Sequence, residues 1–395
     1  MCCERKRLGS QTRNLAPLGH FFISTGRFPV IRNFKRTAAI FGLVAATSTA
    51  LVACNETSGS TDGDAVADGN GDLGGTLVGE GASSQQNAMD VFGIAFQEAY
   101  PNATLSYTPS GSGAGIESFI NGTAMFAGSD SPLKKDQPEK AKERCGGNDA
   151  WHLPSVIGPV AIAYNLPGSE GLNLSVDTVA KIFKGEITKW DDAAIKAENE
   201  GVDLPSTDIN VVYRSDESGT SANFQKFLAA ATGAWDGEGK QFPQEVGAGA
   251  NGSSGVATEV SSIEGAITYV EAGFAKDLGL GIANIDFGNG PVELNDDSVG
   301  KALDNLAFED TGSEHNMVVD ADALFASDGE GSYPLILTTY NIVCSAGYDE
   351  ETSKLVKAFF TTVLDNQNDD LAARGFIPVS GGHADRLKAA IDAVA

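Results

Sequence analysis

Basic residues are scarce in this sequence. Its 395 residues include 27 Lys and Arg against 53 Asp and Glu, a formal net charge of −26. The deficit deepens beyond the N-terminal segment, because eight of the basic residues and one acid, Glu4, fall within 1–54, leaving a net of −33 for the rest. A body of that charge stays soluble and repels nucleic acid, so no nucleic-acid partner is expected. Histidine is also rare. His20, His152, His315 and His383 lie too far apart for metal-ligand spacing, so neither a metal nor a cofactor is expected. The sequence has no Gly-x-Ser-x-Gly elbow and no phosphate loop ending in Lys-Ser/Thr. It shows no nucleophile–base pair of a hydrolase, and no enzymatic activity is expected. No apolar run is long enough, without Ala and Thr, for a convincing membrane-spanning helix.

What the N-terminus does contain is an export signal. Arg32-Asn33-Phe34-Lys35-Arg36 is a basic region, 37–50 is a short apolar stretch, and Leu51-Val52-Ala53-Cys54 follows. The last four residues resemble a bacterial lipobox, which implies cleavage before Cys54 and lipid attachment to its thiol. Such an anchor would hold the chain at a membrane. Residues 1–53 are therefore expected to be removed. Residues 54–75 are rich in Gly, Ser, Thr and Asp with almost nothing to bury, and read as a flexible tether. Asp68-Gly69-Asn70-Gly71-Asp72 invites a calcium-loop reading, but Leu73 and Gly79 stand where such a loop needs Gly and Glu. Two cysteines, Cys145 and Cys344, remain in the body. In an exported chain they predict one disulfide, the alternative being two buried thiols.

From Thr76 onward, strand-like and helix-like segments alternate. Apolar residues recur at helical spacing at Met89, Phe92, Ala95 and Phe96 within 87–100. Helices are also predicted over 114–120, 176–183, 222–231 and 353–364. Strands are predicted from Leu77 and over 104–107, 156–164, 209–213, 266–270 and 335–343. The run 156–164 is almost wholly apolar and suits a strand buried on both faces. This alternation indicates an α/β class with mixed, largely parallel sheet flanked by helices.

Three Gly/Ser-rich turns each join a predicted strand to a predicted helix: Gly79-Glu80-Gly81-Ala82-Ser83-Ser84, Ser110-Gly111-Ser112-Gly113-Ala114-Gly115, and Arg214-Ser215-Asp216-Glu217-Ser218-Gly219-Thr220-Ser221. A helix N-terminus offers free N–H groups and the positive end of the helix dipole, and hydroxyls add donors. One such turn is ordinary capping. Three on equivalent connections point to converging anion contacts. Arg214 supplies a cation with a planar fork, and Asp216 two residues on can hold it. Asp130, in Gly128-Ser129-Asp130-Ser131-Pro132, reads on its own as a turn residue before Pro132. In an oxyanion site its carboxylate would repel a ligand that has no proton to donate. Phosphate at neutral pH carries one and sulfate does not, so Asp130 favours phosphate.

Taken in order, these turns and several further motifs resemble the substrate-binding lipoprotein of phosphate ABC transporters, especially its actinobacterial forms. The further motifs are Gly158-Pro159-Val160-Ala161-Ile162-Ala163-Tyr164-Asn165, Gly185-Glu186-Ile187-Thr188-Lys189-Trp190-Asp191-Asp192, Gly265-Ala266-Ile267-Thr268-Tyr269-Val270 and Tyr333-Pro334-Leu335-Ile336. The resemblance runs from about residue 75 to the C-terminus. It implies a two-lobed, type II periplasmic-binding-protein fold, with lobe I formed by 76–164 and 320–395, lobe II by 165–319, and the ligand in the cleft between. It implies that inorganic phosphate is bound by Ser83, Ser84 through its backbone N–H, Ser112, Arg214, Ser218, Gly219 and Thr220. Asp130 would accept the phosphate proton and Asp216 would orient Arg214. Ser84 stands where some relatives have an aromatic residue. The implied partners are the membrane permease of the transporter and, through the anchor, the membrane, with a monomer expected. The alternatives are a receptor for another oxyanion, an extracellular phosphatase and a purely structural surface lipoprotein.

Overall fold

The computed structural model describes residues 73–304, 306–326 and 329–395. The signal segment, Cys54 and the predicted tether up to residue 72 lie outside the described residues. Gly74 and Gly75, read above as the end of the tether, already pair with Asn102 and Ala103 in the first strand. A glycine pair shows no side-chain periodicity, so its backbone pairing left no trace in the pattern.

Twelve strands are present among the described residues: β1 (Gly74–Gly81), β2 (Asn102–Thr108), β3 (Phe126–Ser129), β4 (Ala150–Tyr164), β5 (Asn173–Ser175), β6 (Asn210–Arg214), β7 (Ala248–Ala250), β8 (Ala266–Glu271), β9 (Gly281–Ile282), β10 (Asn284–Asp286), β11 (Pro291–Val292) and β12 (Ile336–Cys344). Nine of them form one sheet in the order β2-β1-β3-β12-β4-β8-β6-β7, with β9 also on β4, and β11-β10-β5 make a smaller sheet. The large sheet is mixed. Parallel pairing holds β2-β1-β3 at one end and β8-β6-β7 at the other. β12 and β4 between them run antiparallel to their neighbours.

β4 joins the two ends. Nine of its first ten residues pair with β12, Ser155 being passed over at a bulge, and its last five pair with β8. All but one of its fifteen residues are buried, as its apolar run required. Helices cover both ends of the sheet. On the β1 side, Phe96, Phe126, Phe359 and Phe360 pack edge-to-face or stacked, with centroids 5.1–5.7 Å apart. On the β6 side, Phe183, Phe224, Phe242 and Tyr269 form a second aromatic cluster.

Local signals explain the helix ends. Ser175 caps Val176–Phe183 by accepting from the Thr178 N–H, and Val176, Val179, Ile182 and Phe183 face the core. Asp349 caps Glu350–Asp365 in the same way. The predicted disulfide is present: Cys145 and Cys344 are bonded, with Cα atoms 5.5 Å apart. Both sulfurs are buried, and the Arg144 guanidinium lies between the Phe119 and Tyr348 rings beside Cys344.

Candidate functional site

The three Gly/Ser-rich turns meet. Ser83–Gln85 forms a short 3₁₀ turn between β1 and the helix Gln86–Ala99. Ser112 opens the helix Ser112–Ile120, and Ser218 caps the helix Gly219–Thr232. The first two turns are joined by Gly111 N–H donating to the Gly81 carbonyl at 2.8 Å. The second and third are joined by Gly113 N–H donating to the Glu217 carbonyl at 3.0 Å. Gly111 has φ +99°, and a Cβ there would stand 2.5 Å from Asp216 Oδ2, so only glycine fits this junction. A Cβ on Gly219 would come within 2.5 Å of both Asp130 Cβ and Ser112 Oγ. The N-terminus of the 219–232 helix thus rests directly on Asp130.

Asp130 follows β3 and is buried. Ser84 Oγ donates to its Oδ1 at 2.6 Å and Thr339 Oγ1 at 2.8 Å. Ser112 Oγ lies 3.3 Å and Thr220 Oγ1 3.5 Å from its Oδ2. Burial raises the Asp130 carboxyl above its ordinary range, even though the Ser84, Thr339 and Ser112 hydroxyls and Arg214 work the other way. Such a carboxyl is well disposed to hold or share a proton.

Opposite stands Arg214, at the end of β6 and almost fully buried. Its Nε and Nη2 donate to Asp216 Oδ1 and Oδ2 at 2.8 and 2.5 Å, the paired geometry that fixes a guanidinium plane. Asp216 Oδ1 also accepts from the Gly252 N–H. Burial alone would raise the Asp216 carboxyl, but the paired bonds and charge of Arg214 outweigh it and hold the carboxyl low. Arg214 Nη1 points the other way, to Ser253 Oγ at 3.1 Å and Thr220 Oγ1 at 3.3 Å. The arrangement is a neutralised ion pair with one guanidinium nitrogen aimed at hydroxyls.

All the residues named from sequence therefore fall in one cluster, but two of them do more than that reading gave them. Ser84 was assigned only its backbone N–H, whereas its hydroxyl holds Asp130. Ser218 uses its hydroxyl oxygen to accept from the Ser221 N–H as a helix cap, which leaves its proton for another acceptor.

Four contributors were missed. Ser253 and the Gly252 N–H come from a fourth turn of the same kind, Gly249-Ala250-Asn251-Gly252-Ser253-Ser254-Gly255, between β7 and the helix Gly252–Ser262. Its composition was a readable signal. Ser253 N–H donates to Ser83 Oγ at 2.9 Å and so ties the first turn to the fourth. Thr339 lies within the buried strand β12, and Glu271 ends β8, with its Oε1 2.8 Å from Thr220 Oγ1. A polar residue inside a buried strand is the signal that could have found both.

A pocket of about 100 Å³ abuts Asp130, with Lys134, Lys226, Asn223 and Tyr340 in its wall. A wider one, about 540 Å³, is bordered by Trp151 and His152 and contains none of the cluster. His152 is a packing residue: its Nε2 accepts from Leu133 N–H, its Nδ1 lies 2.7 Å from Asn316 Oδ1, and burial lowers its pKa to about 4. Among the described residues no group of His, Cys, Asp or Glu has the arrangement of a metal site, and no helix is long and apolar enough to cross a membrane.

Residues 59–367 match the sequence model of the PBP superfamily domain. The protein named phosphate-binding protein PstS 3 of Mycobacterium tuberculosis is 42% identical over 370 residues, covering 91% of this chain and 99% of its own length. Phosphate-binding protein PstS of Xylella fastidiosa is 31% identical over 309 residues, covering 77% of this chain and 81% of its own. Among solved structures, that of a high affinity periplasmic phosphate-binding protein bound with phosphate superposes with a TM-score of 0.64 over 80% of this chain and 93% of that one. At 24% identity the last likeness is one of fold.

Proposed function

The chain belongs to the phosphate-binding protein PstS family within the PBP superfamily, and from that membership we propose that it binds inorganic phosphate outside the cytoplasm and delivers it to the permease of an ABC importer. Ser83, Ser112, Ser218, Thr220, Arg214 and the N–H groups of Ser84 and Gly219 donate to phosphate oxygens, Asp130 accepts the phosphate proton, and Asp216 holds Arg214. The reading is carried by one observation: a buried carboxylate, Asp130, ringed by hydroxyls across from a buried guanidinium that is already neutralised. A fully ionised oxyanion meets repulsion there, and an oxyanion with a proton finds an acceptor.

Two lobes fit this use. Ser83, Ser84, Ser112, Asp130 and Thr339 belong to 76–164 with 320–395, and Arg214, Ser218, Gly219, Thr220, Ser253 and Glu271 to 165–319. Rotation of one group from the other opens and closes the site. The net negative charge of the body does not prevent this, because oriented donors act at contact distance and surface carboxylates are screened by salt. Lipidation at Cys54 completes the proposal by keeping the chain beside its permease.

Titration calorimetry on the ligand-stripped protein tests it. Phosphate binds one-to-one and sulfate does not. Asp130→Leu and Arg214→Ala abolish phosphate binding. Equal binding of both ions would remove the role given to Asp130, and binding of neither would return the chain to the enzymatic or structural readings.

A further inference from the structure

Glu271 is the buried acid that the phosphate reading leaves unused. Its Oε1 faces Thr220 Oγ1 at 2.8 Å, while its Oε2 is buried with no hydrogen-bond partner. Around it stand Arg214 from β6, Asp130 beyond β3, Thr220 on the 219–232 helix and Ser253 on the 252–262 helix. Arg214 is already paired with Asp216. Were Glu271 and Asp130 both ionised, two carboxylates besides the one paired with Arg214 would lie in the dry site that receives an anion, and Glu271 Oε2 would have no donor within hydrogen-bond distance. Each of these is costly in a buried environment.

The hydroxyl of Thr220 points to the same conclusion. Arg214 Nη1 can only donate, so the Thr220 oxygen accepts from it at 3.3 Å. Thr220 has a single proton. If Glu271 is ionised, that proton is drawn to Oε1 and Thr220 has nothing left to donate. If Glu271 carries a proton on Oε1, it donates to Thr220, and the Thr220 proton turns toward Asp130 Oδ2 and the position beside it.

Resting on the phosphate reading, we propose that Glu271 is a positioning residue that remains protonated in the anion complex and, by donating to Thr220, aims the one Thr220 proton at the bound anion. The site then contains two carboxyl groups with opposite duties: Asp130 takes a proton from the ligand, and Glu271 lends one to the residue that binds it. Burial raises the Glu271 carboxyl and the charge of Asp130 acts in the same direction, against the pull of Arg214 and of hydrogen bonds from Ser253 and Thr220.

The test uses the purified protein, inorganic phosphate, and the variants Glu271→Gln and Glu271→Leu. The amide N–H of Gln replaces the acid O–H, and Leu removes the donor. At pH 7, Glu271→Gln binds phosphate within about threefold of the wild type, and Glu271→Leu binds about tenfold more weakly, as expected for one hydrogen bond. The infrared spectrum of the wild-type complex at pH 8 contains a buried protonated-carboxyl C=O band that is missing in Glu271→Gln. Binding at least tenfold weaker in Glu271→Gln, with unliganded melting unchanged, would mean that an ionised carboxylate is required, and would overturn the inference. Identical infrared spectra for the two complexes would also overturn it. A wild type that binds no phosphate would instead remove the parent reading, a separate result from either of these.

Discussion

At the scale of single residues, the site is a set of opposed protonation preferences, and these govern stability as well as binding. The Asp130 carboxyl is raised by burial. Its contribution to folding is therefore complete below the ordinary carboxylate range and is lost as pH rises toward its folded value. Phosphate-free Asp130→Asn should fall at or below the wild type near pH 4 and overtake it as pH rises to about 7, gaining up to about 1.4 kcal/mol for each unit of pH within the titration window. Urea unfolding at several pH values checks this. Asp216 behaves in reverse. Its carboxyl is held low, so its contribution is present above the ordinary carboxylate range and is lost on acidification through its folded value. Asp216→Asn should cost most near neutral pH, about 3 kcal/mol or more, because it leaves the buried Arg214 charge unmatched. Circular dichroism melts at pH 7 and pH 3 compare the two. Arg214 and Asp216 were legible in the sequence because their spacing and chemistry are local, whereas Asp130 read on its own as a turn residue and took its role from the motifs around it. Thr339 and Glu271 were not, since Thr339 is one of several polar residues in β12 and Glu271 the last residue of β8, and each acquires meaning only from neighbours 209 and 51 positions away.

At the scale of elements, the recurring device is a strand that ends in a Gly/Ser turn and enters a helix, with the turns locked to one another by backbone bonds. Gly219 shows how tight that locking is. Gly219→Ala would place its Cβ 2.5 Å from Asp130 and Ser112, so the helix must withdraw. We expect phosphate affinity to fall at least tenfold and stability by about 1–3 kcal/mol, measured by calorimetry and thermal melting of the same preparation. The helices that were predicted lie within a few residues of those observed, but others, among them Gly252–Ser262 and Gly381–Ala393, were not predicted. The periodicity over 176–183 coincides with the helix Val176–Phe183, and the 222–231 reading lies inside Gly219–Thr232. The missing first turn of the latter is Gly219, Thr220 and Ser221, residues with weak helix preference that the Ser218 cap nevertheless draws in. Strand direction was misjudged: the alternation implied a largely parallel sheet, yet the large sheet has as many antiparallel strand pairs as parallel ones. Alternation and apolar runs report burial, and they look the same whether a neighbour runs parallel or antiparallel. The antiparallel placement of β12 beside both β3 and β4 is a tertiary outcome.

At the scale of the whole molecule, β4 and β12 are the common spine, and the Cys145–Cys344 bond clamps the end where Ala150 pairs with Cys344. Replacing both cysteines by serine should lower stability by about 2–4 kcal/mol, measured by denaturant unfolding. Phosphate affinity should change little, because the bond lies beyond Thr339 at the end of β12. The fold class followed from the α/β alternation. That β3 would find its second partner about two hundred residues downstream did not, since nothing local encodes it. This separation has a consequence for how the chain is made. β3 and the first part of β4 stay unpaired on one side until β12 has been synthesised, and the disulfide joins residues 199 apart. A growing polypeptide of this design cannot finish its central sheet early, however quickly its helices form. Its central sheet stays open until the segment carrying β12 has been made, and the covalent bond can form only after Cys344 has joined the chain.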